Sequence, residues 1–124
     1  MSRYLAGVLS CAIIFLCTTG CSTQQKKHLT IDGGNPIVYR CENNDQITAR
    51  YYNISDKSLH FVKVLLPGDT EYTLPCVLSA SGARYTDDRE IVWWTKGSFA
   101  FLEARDKSGN WRIKYNNCKE IADK

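Results

Sequence analysis

From Ile37 onward the apolar residues fall in short runs with a period of two, the pattern of half-buried β-strands. Ile37-Val38-Tyr39-Arg40-Cys41 is β-branched and aromatic. Ile47, Ala49 and Tyr51 alternate with Thr48, Arg50 and Tyr52. Leu59, Phe61 and Leu65 mark the next run, which also holds Val62 and Val64. Thr70 to Leu74, Ile91 to Trp94, Phe99 to Leu102 and Trp111 to Tyr115 continue the series. Turn-forming clusters separate the runs: Asn43-Asn44-Asp45, Asn53 to Lys57, Pro67-Gly68-Asp69, Lys96-Gly97-Ser98 and Lys107-Ser108-Gly109-Asn110. No segment carries a helical stripe. The pattern predicts an all-β domain, an antiparallel barrel or sandwich. Closing the sheet into a barrel would remove exposed edges, a liability in a small domain. Of the adjacent Trp93 and Trp94, alternation sends one inward.

The first twenty residues follow a different rule. Arg3 is a short positive region, Tyr4 to Leu16 is mostly apolar, and Thr18-Thr19-Gly20 is a run of small residues ending at Cys21. Residues 1–20 read as a signal peptide, too short for a membrane span. The Gly20-Cys21 junction resembles a bacterial lipoprotein cleavage site, which makes Cys21 the expected lipidated residue; ordinary secretion is the alternative. More than one acyl chain suffices for stable anchoring. Residues 21–35 are expected to be the lipidated cysteine and a flexible polar tether. Residues 36–124 are expected to be the folded domain.

Composition narrows the chemistry. The net charge of the 124 residues is only +3, so no nucleic-acid partner is indicated. Cys11 and Cys17 leave with the leader and Cys21 is committed to lipid, so Cys41, Cys76 and Cys118 remain, of which two can pair. Cys41 lies on the first run and Cys118 just after the last. A Cys41–Cys118 bond would tie the ends of the domain together, and the exported compartment permits it. Cys76 then remains a free thiol acting as a small hydrophobe; a bridge to Cys76 is the alternative. The only histidines are His28 in the tether and His60, so no metal site is indicated, and no cofactor. Ser81 has no histidine nearby in sequence and does not sit in a nucleophile elbow, so catalysis is not expected.

Two short motifs stand out. Ser79-Ala80-Ser81-Gly82-Ala83-Arg84-Tyr85 is a small-residue turn with free hydroxyls. Trp94-Thr95-Lys96-Gly97, about one hairpin later, offers an ammonium beside an aromatic ring. Ser81-Gly82-x-x-Tyr85 and Trp94-x-Lys96-Gly97 resemble the two motifs of the membrane-bound lysozyme inhibitors active against c-type lysozymes. Tyr39-x-Cys41 and Asn116-Asn117-Cys118 are similar to that family's terminal cysteine contexts. The resemblance spans roughly residues 37–119. It implies a small eight-stranded antiparallel β-barrel and a c-type lysozyme as protein partner. It also implies a lipid anchor in the bacterial outer membrane, facing the periplasm. Contacts with lysozyme would come from Ser81, Gly82, Tyr85, Lys96 and Gly97, supported by Arg84 and Trp94. Two departures are visible. The connection Asp87-Asp88-Arg89-Glu90 is about one residue longer than usual, which bears on how Ser81 sits against Lys96, and Cys76 stands where the family has no expected cysteine. The sequence leaves a homodimer open. A small-ligand-binding barrel and a structural envelope lipoprotein are the competing readings.

Overall fold

The computed structural model describes residues 27–122. Among them the period-two runs fold as strands β1 (Ile31–Gly33), β2 (Ile37–Arg40), β3 (Gln46–Ile54), β4 (His60–Leu66), β5 (Thr70–Val77), β6 (Ala83–Thr86), β7 (Ile91–Lys96), β8 (Phe99–Arg105) and β9 (Trp111–Ile121). Every pairing is antiparallel. From β2 the sheet runs through β9, β8, β7, β6, β5 and β4, and β4 pairs with β3, which pairs back with β2. That closes an eight-stranded barrel. β1 does not add a ninth stave. It pairs Ile31 to Gly33 with Ile54 to Tyr52 of β3, on the same edge that β2 covers from Gln46 to Ala49.

Where the barrel strands are regular, alternate residues face the interior. Ile47 and Ala49 of β3, Val62 and Val64 of β4, Leu74 of β5, Trp93 of β7 and Leu102 of β8 are all 0–1 % exposed. Trp93 is the inward member of the tryptophan pair, and its ring meets Tyr39 edge-on at 5.2 Å. Its Nε1 donates to the Tyr51 hydroxyl at 3.0 Å, and the Tyr51 and Tyr39 hydroxyls are 3.2 Å apart. The polar tips of these buried rings are therefore satisfied by one another. Burial raises the Tyr51 hydroxyl pKa above the ordinary tyrosine value. Among the described residues, buried side chains fill the barrel, and two concavities lie at its surface. One of about 290 Å³ sits on the outer face of β3 and β4, beside Arg50 and Lys63, and another of about 400 Å³ beside Cys41 and Lys119.

Cys41 and Cys118 are disulfide-bonded across 77 residues of chain, and Cys76 is free. Cys118 lies within β9, opposite Ala100 of β8, not beyond the last strand. The sequence pattern hid this because β9 carries two bulges. Leu102 pairs with Tyr115 while Glu103 pairs with Ile113, and Ala100 pairs with Cys118. Each bulge shifts the inward parity by one, so Tyr115 and Cys118 both face inward three residues apart.

On β4 the inward residues are Val62, Val64 and Leu66, while Leu59 and Leu65 are 37 % exposed. Phe61 lies outside, stacked on Tyr52 at 4.9 Å. Ala83–Thr86 forms a strand of its own, β6, inside what looked like a motif loop. Paired backbone begins at Ile31, upstream of Pro36 and within the expected tether. Gly33 allows this, because a Cβ there would lie 2.6 Å from the Tyr52 ring. The expected signal peptide and Cys21 lie outside the described residues.

Candidate functional site

Antiparallel order puts the two motifs at one end of the barrel. β6 starts where its neighbour β7 ends, with Ala83 opposite Thr95 and Arg84 opposite Trp94. The β5–β6 loop, residues 78–82, therefore meets the tight β7–β8 turn, where Lys96 opposes Phe99 and Gly97 takes φ +60°.

The loop is fixed from within and from below. The Ser79 hydroxyl lies 2.9 Å from the Gly82 carbonyl oxygen, to which it donates, and 3.3 Å from that of Ser81. The Trp94 indole N–H donates to the Ser81 carbonyl at 2.9 Å, which latches the first motif to the second. Gly82 adopts φ +67°, and a Cβ there would lie 2.1 Å from the Thr95 carbonyl oxygen and 2.9 Å from Lys96 Cγ. Only glycine lets the backbones approach this closely. The Ser81 carbonyl is thus committed to Trp94, and Ser81 and Lys96 are both exposed.

The outer face beneath is aromatic. Trp94 stacks on Phe101 at 5.6 Å. Lys96 Nζ lies 5.3 Å from the Trp94 ring centre, and the Arg84 guanidinium 5.9 Å from it. Arg84 also pairs with Asp88 at 3.6 Å. Arg84 and Trp94 thus lie beneath the loop and turn, and Ser81, Gly82, Lys96 and Gly97 are exposed at the end of the barrel.

Tyr85 differs from the other motif residues. It is 9 % exposed and packs inward against Tyr51 at 5.6 Å. Burial first, then the neighbouring Cys76 and Tyr39, push its hydroxyl pKa up to about 12. Tyr85 therefore braces the strand behind the loop. Its i+2 spacing from Ala83 on a strand carried that information, since Ala83 also packs against the core.

The longer connection Asp87–Glu90 lies at the opposite end, between β6 and β7. It leaves the register from Ala83↔Thr95 to Thr86↔Val92 unbroken, so the loop ending at Gly82 still meets the turn that carries Lys96. Motif reasoning assigned no role to the Ser79 hydroxyl or the Thr95 carbonyl, and only the folded loop reveals them. Among the described residues no group of three or more histidine, cysteine or acidic side chains is placed to hold a metal.

The family model described as membrane-bound lysozyme-inhibitor of c-type lysozyme matches residues 39–111, which include both motifs. The chain belongs to this family. A relative from Pseudomonas aeruginosa, a membrane-bound lysozyme inhibitor of C-type lysozyme, is 35 % identical over 92 residues, covering 70 % of each chain. A second, of the same description from Yersinia enterocolitica, is 35 % identical over 112 residues, or 90 % of this chain and 80 % of the relative. The fold is similar to that in the crystal structure of Pseudomonas aeruginosa MliC in complex with hen egg white lysozyme. The TM-score is 0.57 at 22 % identity, over 97 % of this chain and all of the other.

Proposed function

We propose that this protein inhibits c-type lysozyme by inserting the Ser81–Gly82 loop and Lys96 into the active-site cleft, so protecting bacterial peptidoglycan. The observation that carries this reading is the latch of Trp94 Nε1 on the Ser81 carbonyl, with Gly82 packed against Thr95 and Lys96. It preorganises a hydroxyl and an ammonium on one exposed edge. A retaining glycosidase holds two carboxyl groups about 5–5.5 Å apart. In lysozyme one is a protonated acid and the other an ionised carboxylate. A serine hydroxyl both donates and accepts, so it suits either state. An ammonium suits the ionised partner, and a charge-assisted hydrogen bond in a dry cleft is stronger than a neutral one. A binder that blocks the two carboxyls has no need of catalytic residues of its own. The filled interior, with Trp93 and Leu102 fully buried, speaks against a ligand-binding barrel. Cys21 anchors the protein by lipid in the outer membrane, facing the periplasm, in the same reading.

The test is inhibition of several c-type lysozymes by the domain from Ser22 onward, competitive with peptidoglycan. Lys96→Ala should weaken inhibition by about 2–5 kcal/mol, because it strands a buried carboxylate. Ser81→Ala should cost less, about 1.5–3 kcal/mol, since water can replace a hydroxyl. The double change should be less than additive if both groups meet one carboxyl pair. Unchanged inhibition by folded Lys96→Ala would remove the charged half of the mechanism. Fatty-acid label retained by Cys21→Ala in cells would move the lipid site away from Cys21.

A further inference from the structure

Leu78 is 99 % exposed, whereas the other exposed large apolar side chains among the described residues are 37–64 % exposed. It is the first residue beyond β5. Its predecessor Val77 is in register opposite Arg84, and its successor Ser79 is tied to the Gly82 carbonyl. Both flanking residues are tied down, and the leucine side chain between them stands clear of the barrel. It stands three residues before Ser81, within about 10 Å along even an extended chain.

We propose that Leu78 is an apolar anchor for the bound lysozyme, seated on the cleft wall beside the catalytic acid. This rests on the lysozyme reading. A catalytic carboxyl that stays protonated near neutral pH does so in apolar surroundings, as lysozyme's does. A loop that brings Ser81 to that carboxyl therefore brings Leu78 to an apolar wall. Ser81 and Lys96 recognise the two carboxyls, which a retaining mechanism requires of every such target. Leu78 instead reads the shape of the adjoining wall, which can differ between lysozymes. It is thus a specificity-determining contact separate from the polar pair.

The experiment compares parent, Leu78→Ala and Leu78→Met in inhibition and dissociation kinetics against several c-type lysozymes. Leu78→Ala should bind about 10- to 100-fold more weakly, the loss expected from burying a leucine side chain. The change should appear in the dissociation rate. It should persist at high salt, because salt does not screen an apolar contact. Leu78→Met, nearly equal in volume, should stay within about threefold of the parent. Melting temperatures should be unchanged, because the side chain touches little of the barrel. If the parent inhibits and Leu78→Ala matches it within about twofold for every lysozyme, the anchor is overturned and the lysozyme reading stands. If the folded parent inhibits none of them, the lysozyme reading fails and the anchor fails with it.

Discussion

A methyl group added at Gly82 would press on the Thr95 carbonyl, which is backbone and already part of the β6–β7 ladder. One added at Gly97 would meet nothing within 4 Å. Both glycines have positive φ, +67° and +60°, so both substitutions carry conformational strain. Only the first also forces strands apart. Gly97→Ala should therefore lower folding stability by about 1 kcal/mol, the usual cost of a left-handed alanine. Gly82→Ala should cost about 2–3 kcal/mol and weaken inhibition at least tenfold, by displacing Ser81 from Lys96. Urea denaturation of both variants reads the difference, and equal midpoints would show that the close approach of Gly82 does not matter. The motif alone marked both positions as turn glycines. Their inequality depends on which backbone lies opposite, and no single-chain pattern reports that.

Individual elements were legible where alternation was clean and obscured where it was interrupted. β3 follows the period-two rule, so Ile47 and Ala49 are inward as the pattern requires, whereas β7 is apolar throughout Ile91 to Trp94 and alternation says only that one of its two tryptophans turns inward. β6 was missed because its four residues, Ala83-Arg84-Tyr85-Thr86, offer one large apolar side chain. β4 carries apolar residues on both its faces, so alternation alone does not say which side turns inward. The β6–β7 connection shows how a polar turn is held. The Thr86 hydroxyl donates to the Ile91 carbonyl at 2.7 Å, and Asp87 Oδ1 accepts the backbone N–H groups of Arg89, Glu90 and Ile91 at 2.9–3.1 Å. Partial burial alone would raise the Asp87 pKa, but these three donors outweigh it and lower it. In the β8–β9 turn the Asn110 N–H leads in lowering Asp106. A carboxylate depressed in the folded state stabilises it fully above the unfolded value of about 3.9 and loses that contribution as pH falls through the folded value. Melting temperature should therefore be flat from neutral pH to about 5 and fall below about 4. Asp87→Asn should flatten part of that fall yet leave inhibition at neutral pH intact, because the turn lies opposite the motif end. A fall of the same depth in Asp87→Asn would assign the acid sensitivity elsewhere.

At the scale of the whole barrel, closure depends on β9. It pairs with β8 on one side and β2 on the other, and its end beyond Tyr115 was not legible as a strand because the bulges break its alternation. The Cys41–Cys118 bond joins that irregular end to the chain following β2. Cys118 is opposite Ala100, and Glu120 N–H donates to the Ser98 carbonyl at 2.9 Å. The bond therefore stands beside the hairpin that carries Lys96. Cross-linking 77 residues restricts the unfolded chain by about 4 kcal/mol in the chain-entropy model. A domain of this size has about 5–15 kcal/mol in all. Reduction should thus remove a large share of the stability, lowering the urea midpoint sharply. Because the bond holds the Lys96 side of the barrel, reduction should also weaken inhibition at denaturant concentrations that leave most of the sheet intact. Non-reducing peptide mapping, with inhibition assays across a urea series in both redox states, checks this. Coincident loss of inhibition and of circular dichroism in the reduced protein would show that the bond stabilises the barrel as a whole without acting locally on the site.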